Sequence, residues 1–224
     1  MNNPSRFFLI ASTVVALCAN SSFAQDTRFY FKGDLGGNIT HDTGLREFFG
    51  EPLASGTKIH FDPGLRLGVA GGYRVTDWFS GELETGIMAN YIHKIDGATR
   101  VDDAVFSNIP LLVNARIQWP HNTFVTPYIG GGVGGSFPVI DADHIEIGET
   151  RMHGSEATAV FAYQGFAGLR FRLNQAMGLA LEYHYFHADG AEWGAEDNHG
   201  ASSDKLRFAG TETHAFSIAF DWRF

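Results

Sequence analysis

Hydrophobic and polar side chains alternate with a period of two in eight separate stretches of the chain. In the first, Phe29, Phe31, Leu35 and Ile39 share one face, with Tyr30, Lys32, Asp34, Gly36 and Asn38 on the other. The second sets Leu65, Leu67, Val69 and Tyr73 against Arg66, Gly68, Ala70, Gly72 and Arg74. The third sets Phe79, Leu83, Ile87 and Tyr91 against Ser80, Glu82, Glu84, Gly86 and Asn90. In the fourth, Ile109, Leu111, Val113, Ala115, Ile117 and Trp119 oppose Asn108, Asn114, Arg116 and Gln118. The fifth has Val125, Pro127, Ile129 and Val133 against Tyr128, Gly130, Gly132 and Gly134. The sixth has Phe161, Tyr163, Ala167, Leu169, Phe171 and Leu173 against Gln164, Gly168, Arg170 and Arg172. In the seventh, Leu179, Leu181, Tyr183 and Tyr185 face away from Ala180, Glu182 and His184, and in the eighth Phe216, Ile218, Phe220, Trp222 and Phe224 face away from Ser217, Ala219, Asp221 and Arg223. A period of two places successive side chains on opposite faces of an extended strand.

The separators alternate in length. Val75-Thr76-Asp77, Pro120-His121-Asn122 and Asn174-Gln175-Ala176 predict tight turns, whereas the stretches near 40–58, 92–105, 137–157 and 187–205 predict long polar loops. Eight strands of roughly 9 to 11 residues, with short turns at one end and long loops at the other, predict an all-β, antiparallel, up-and-down transmembrane barrel. Both termini and the tight turns would lie in the periplasm and the long loops outside the cell. Pro110 and Pro127 fall inside predicted strands, and a closed barrel has no edge to absorb a missing donor. A bulge or strand end is expected near each.

The alternative is a soluble lipocalin-like barrel, apolar inside and polar outside. The placement of charge decides against it. Lys32, Asp34, Arg66, Glu82, Glu84, Arg116, Arg170, Arg172, Glu182, Asp221 and Arg223 all fall on one face, in company with many glycines, and the other face has almost none. Small and charged residues together suit a narrow lumen. The signs alternate: basic Arg66, acidic Glu82 and Glu84, basic Arg116, then basic Arg170 and Arg172 before acidic Glu182. Buried charges must be paired, so a plugged lumen held by a network of these residues is expected, with a water-filled polar lumen as the alternative. Trp78, Trp119 and Trp222 would form the periplasmic aromatic belt, and Tyr91, Phe161, Tyr185 and Phe137 the outer one.

Composition narrows the compartment. Arg6, the apolar run Phe7 to Cys18 and the small residues of Ser22-Phe23-Ala24 read as a secretory signal over residues 1–24, cut before Gln25 and leaving a barrel domain over 25–224. The apolar run is too short to span about 30 Å of hydrocarbon as a helix. Cys18, the chain's one cysteine, follows Leu17 where a lipoprotein signal wants a small residue, and it would leave with the signal. No disulfide, cysteine metal site or thiol nucleophile is then available. The net charge of -9 argues against a nucleic-acid partner.

Three internal stretches carry a resemblance. They are Ile109-Pro110-Leu111-Leu112-Val113-Asn114-Ala115-Arg116, Pro127-Tyr128-Ile129-Gly130-Gly131-Gly132-Val133-Gly134, and Phe161-Ala162-Tyr163-Gln164 leading to Gly168-Leu169-Arg170-Phe171. Together with the terminal Phe224 they resemble the small eight-stranded outer-membrane barrels: opacity proteins, OmpX-like proteins and the OmpA membrane domain. The resemblance implies a bacterial outer-membrane location and insertion through Phe220, Trp222 and Phe224 by the barrel-insertion machinery. It implies a fold shared by many functions.

Chemistry is sparse. Some such barrels are lipid A deacylases or acyltransferases with a His, a Ser and an acid near the outer rim, since a serine hydroxyl needs a neighbouring base. The corresponding region here is Tyr183-His184-Tyr185-Phe186-His187-Ala188-Asp189-Gly190, with no serine two positions after either histidine, so no enzyme is expected. Of the chain's ten histidines many lie in loops with acids, among them His93 with Asp96, His144 with Asp141, Asp143 and Glu146, His187 with Asp189 and His199 with Asp197, yet their spacings predict no converging metal site and no cofactor. The long loops carry Asp102, Asp103, Glu149, Glu192, Glu196 and Asp197 as free acidic charge. Loops on a rigid scaffold carry function, which leaves an adhesin-like or a purely structural role open. A narrow pore or a lipid A-modifying enzyme stands as the alternative. A monomer in contact with outer-membrane lipid and lipopolysaccharide is expected, with an extracellular ligand at the loops under the adhesin-like reading and no domain appended after residue 224.

Overall fold

The computed structural model describes residues 28–50, 53–119, 123–148, 150–194 and 205–223. The expected signal over 1–24, the turn at 120–122 and the terminal Phe224 lie outside these residues. Eight long strands form the body: β1 (Phe29–Thr40), β4 (Gly64–Arg74), β5 (Phe79–Ile95), β7 (Val105–Gln118), β8 (Val125–Ile147), β10 (Val160–Arg172), β11 (Met177–Ala188) and β14 (Thr211–Arg223). Six shorter strands extend it at one end: β2 (Thr43–Phe48), β3 (Lys58–Phe61), β6 (Ala98–Asp102), β9 (Thr150–Ala157), β12 (Glu192–Gly194) and β13 (Lys205–Phe208). Each long strand pairs antiparallel with the next, and β1 pairs with both β4 and β14, so the first strand joins the last and the barrel closes. Closure leaves the barrel no exposed edge.

The period-two pattern sorts the side chains as expected. Leu35, Leu65, Val113 and Phe216 stand outward and are more than half exposed, whereas Lys32, Arg66 and Glu84 point inward and are sealed from solvent. Turn chemistry fixes the tight ends. Asn174 Oδ1 accepts from the amides of Ala176 (2.9 Å) and Met177 (2.8 Å), a side-chain turn that reverses β10 into β11. Thr76 Oγ1 accepts from the Phe79 amide at 3.0 Å and does the same between β4 and β5.

The prolines behave differently from each other. Pro127 sits near the start of β8, at a strand end as expected, and its carbonyl accepts from the Trp119 amide at 3.1 Å. Pro110 lies mid-strand without a bulge. The β5–β7 ladder is open between Thr85↔Leu111 and Met88↔Asn108, yet the register is the same on both sides. Pro110 has no amide to donate, and its carbonyl takes the Thr85 hydroxyl at 2.8 Å in place of a ladder bond.

The expected long polar loops are corrected. Much of the chain there is strand: β5 runs on to Ile95 and β8 to Ile147, and the six short strands pair onto them and onto each other. This extension encloses an apolar core that includes Phe48, Ile59, Ile92, Phe106, Ile140, Trp193, Leu206 and Phe208. The physical reason is an inversion of the pattern along a continuous strand. In β8 the apolar side chains Ile129, Val133 and Phe137 face outward; beyond them Ile140 and Ala142 face inward, while Asp141 is exposed. In β5 the same switch falls between exposed Tyr91 and buried Ile92. A wall in hydrocarbon turns its apolar side out, and a wall in water turns it in.

Candidate functional site

The interior is the one region where chemistry-bearing residues converge among the described residues, and it is built in layers. Nearest the tight turns, Arg170 grips Asp221 through three contacts, Nε–Oδ1 2.9 Å, Nε–Oδ2 2.6 Å and Nη2–Oδ1 2.7 Å. One strand, β11, lies between their backbones: its Gly178 stands directly opposite Asp221, and a Cβ there would meet Arg170 Nη2 and Asp221 Oδ2, each at 2.5 Å. The glycine leaves the room that the pair occupies.

Above that pair, Lys32 Nζ reaches Glu182 Oε1 (3.1 Å) and Glu82 Oε2 (3.7 Å). Arg116 Nη1 donates to Glu82 Oε1 at 3.3 Å, and its guanidinium lies 3.8 Å from the centre of the Tyr128 ring. Two phenols complete the carboxylates: the Tyr30 hydroxyl donates to Glu82 at 2.5 Å and the Tyr128 hydroxyl donates to Glu182. His184 Nε2 stands 3.1 Å from Glu182 Oε2. In the next layer Arg66 bridges Asp34 (Nε–Oδ1 2.8 Å) and Glu84 (Nη2–Oε1 2.5 Å), while Asn114 (2.7 Å) and Gln164 (2.8 Å) both donate to Glu84 Oε2.

Towards the extension the charges give way to neutral groups. Thr40 contacts Asn90 and Thr213, each at 2.9 Å, and Ser136 donates to Asn108 at 3.2 Å. Beside them sits a small apolar cluster, Met88, Leu112, Ala162, Phe186 and Ala188, and beyond both lies the apolar core of the extension. The lumen is filled by paired charges below and packed hydrocarbon above.

The structure brings together Lys32, Asp34, Arg66, Glu82, Glu84, Arg116, Arg170, Glu182 and Asp221, all buried. It does not bring Arg172 or Arg223 into the network. Arg172 is exposed at the end of β10, and Arg223 approaches Asp221 only to 4.0 Å, where Arg170 already contacts both carboxylate oxygens. The pairing also departs from strand adjacency: Glu182 takes Lys32 from across the lumen, and Arg170 takes Asp221 of β14, skipping β11. Tyr30, Tyr128, Asn114, Gln164 and His184 are network members that the charge pattern missed. Their inward parity was the available signal.

Outside the lumen, the region compared with deacylases splits. His184 points inward, while His187 stacks on Tyr163 at 4.9 Å and sits 3.5 Å from Asp189. His93 takes another partner than proximity in sequence suggested, lying 3.7 Å from Asp62, and Asp96 instead meets His60 (3.3 Å), which also reaches Asp42 (2.7 Å). Among the described residues no three histidines or acids are placed to hold a metal. Two of the acids read as free charge are corrected. Asp102 pairs with Arg100, and Glu192 pairs with Lys205 and Arg207. Side-chain bonds hold two of these outer carboxylates below their usual range: Asp96 chiefly through Lys94, and Glu192 through Lys205 and then Arg207. Glu149, Glu196, Asp197 and His199 lie outside the described residues.

The chain matches a family model described as outer membrane protein beta-barrel domain over residues 9–224. No curated protein matches it in sequence. Solved structures share its fold at low identity. OprG, an outer membrane protein from Pseudomonas aeruginosa, aligns with a TM-score of 0.58 at 14% identity, covering 88% of this chain and 96% of that one. Neisserial surface protein A aligns at 0.51 and 13% identity (88% and 97% covered), and the outer membrane protein AlkL, solved in lipid bilayers, at 0.51 and 14% (91% and 95% covered). Closed antiparallel walls, an apolar band facing outward and the family match place this barrel in the bacterial outer membrane, and the chain belongs to the outer-membrane β-barrel family.

Proposed function

We propose that this protein is a closed outer-membrane barrel that works through its extracellular face, as a surface-interaction module or a structural element of the envelope, and that it neither conducts nor catalyses. The observation that carries the reading is the filled lumen: three layers of bonded charge, then neutral polar groups beside a small apolar cluster, closed by the apolar core of the extension. A wide aqueous path has no room there, and the extension presents a rigid surface with its charges outward. Residues 1–24 serve as the removable export signal and 25–224 as the barrel. Phe220, Trp222 and Phe224 serve as the insertion signal, and the folded monomer contacts lipid and lipopolysaccharide through its outward band.

The test is twofold. Planar-bilayer recordings of the purified barrel are expected to show no large, stable openings. Cells whose barrel has the extension shortened at Thr43–Phe61 and Glu192–Phe208 are expected to lose surface adhesion while keeping an intact envelope. Adhesion and envelope integrity both unchanged would end the interaction reading, and stable conductance would end the closed-lumen reading.

A further inference from the structure

Within the extension, β12, β13 and β2 form a small sheet that meets β3 along a short seam. β2 and β3 share only two residue pairs, Thr43↔Ile59 and Gly44↔Lys58. At the end of that seam three segments converge on His60 of β3. Its Nδ1 lies 2.7 Å from Asp42 Oδ2, in the link between β1 and β2, and its Nε2 lies 3.3 Å from Asp96 Oδ1, in the turn from β5 to β6. Asp96 is also tied to the backbone of β3: its amide donates to the Lys58 carbonyl at 2.9 Å, and its Oδ2 accepts from the Lys58 amide at 3.3 Å.

Both partners of the ring are carboxylates, and an ionised carboxylate only accepts hydrogen bonds. A neutral imidazole donates from one nitrogen and accepts at the other, so it completes one contact and turns a lone pair towards the second acid. The imidazolium donates from both nitrogens. Of the charges packed around it, Lys94, opposite His60 on β5, reaches Asp96 Oδ1 at 3.1 Å and holds that carboxylate below its usual range. His93 turns to Asp62 (3.7 Å) and His41 to Glu212 (3.9 Å). β2 adds exposed Arg46 and Glu47, the latter 3.4 Å from Arg207, and β3 adds exposed Lys58. We propose that Asp42, His60 and Asp96 form a proton-operated fastener: in mild acid the ring takes up a proton, both contacts close, and the seam between β2 and β3 tightens. The protonated form is the one that makes both bonds, so the stabilisation is present in acid and lost as the pH rises. The fastener sets the rigidity of the extension and is independent of whether the extracellular face binds a partner.

Amide exchange of the full chain folded in lipid vesicles is measured at about pH 8 and about pH 5.5, either side of the ordinary imidazole value of about 6.5. Rates are expressed as protection factors, so that the intrinsic pH dependence of exchange cancels. β2 and β3 are expected to gain about threefold protection in the acid sample, the size of one solvated ion pair, with the wall strands unchanged. His60→Gln is expected to abolish the gain, while His41→Gln and His93→Gln keep it. Should His60→Gln fail to fold, nitrogen NMR of the imidazole rings in the wild-type protein decides: both ring nitrogens of His60 are expected to carry a proton at about pH 5.5. No gain in the wild-type protein, a gain that survives in His60→Gln or is lost in His93→Gln, or a neutral His60 ring in the acid sample would overturn the proposal.

Discussion

Arg66 and Glu84, on adjacent strands β4 and β5, meet across the lumen wall with Nη2 2.5 Å from Oε1, both side chains sealed from solvent. The guanidinium's other edge is fixed to Asp34 at 2.8 Å, and Glu84 Oε2 receives amide donors from Asn114 and Gln164. Five groups from five strands thus bond to one another away from bulk water, with Asp34 Oδ2 and Gln164 Oε1 left unpartnered.

Breaking such a set from one side leaves a stranded charge. Glu84→Ala leaves Arg66 with Asp34 alone and is expected to destabilise the barrel by about 3–5 kcal/mol. Glu84→Gln keeps the shape and the acceptor and should lose less. Urea titration of the barrel folded into lipid vesicles, followed by tryptophan fluorescence, reads the difference; equal losses would show that packing rather than charge carries the site.

Glycine placement makes a second contrast. A methyl group at Gly178 would collide with the Arg170–Asp221 pair, whereas one at Gly71 meets nothing within 4 Å. Gly178→Ala is therefore expected to cost about 1–3 kcal/mol through overpacking. Gly71→Ala, on the outward face of a strand interior, should be neutral or stabilise by about 0.5–1 kcal/mol. The same urea titration ranks the two.

The switch of apolar side chains from the outer to the inner face locates the outer boundary of the hydrocarbon between Phe137 and Ile140 on β8. A charge placed on the outward face below that line should be costly and one above it harmless. Val113→Arg, mid-wall, is expected to cost about 2–4 kcal/mol, and Asp141→Arg close to nothing. A large cost at position 141 would move the boundary outward.

The extension should loosen in acid. Bonds from Lys205 and then Arg207 hold the Glu192 carboxylate below its usual range. A lowered native value means that the stabilisation is full above the ordinary carboxylate pKa of about 4.3. It is lost as the pH falls through the native value. Amide exchange of β12 and β13 is expected to be slow at neutral pH and to quicken below about pH 4, with the barrel strands unaffected. Because these side chains are solvated, the effect is local, and Glu192→Gln should remove it.

The strands were legible because a barrel wall in lipid writes its two faces directly into the sequence: Phe216, Ile218 and Phe220 outward, Ser217, Ala219 and Asp221 inward. The extension was harder to read for the same reason. Ile140-Asp141-Ala142 also alternates, but with the apolar side turned in, and without a bilayer to refer to, such a stretch is indistinguishable from a polar loop that happens to hold isoleucines. The inner aromatic and amide members were hidden too, since Tyr30, Tyr128 and Gln164 gain their meaning only from the carboxylates that they reach across the lumen.

By itself the sequence determined the closed antiparallel wall, its eight crossings, and which face carries charge, because side-chain direction in a strand is a local property with a period of two. Only the tertiary structure decided who pairs with whom. Lys32 finds Glu182 across the lumen and Arg170 finds Asp221 over Gly178, since those distances depend on how far the sheet has curled and on where a missing side chain leaves space. Curvature and vacancy are sums over the whole ring of strands, and no single stretch of chain contains them.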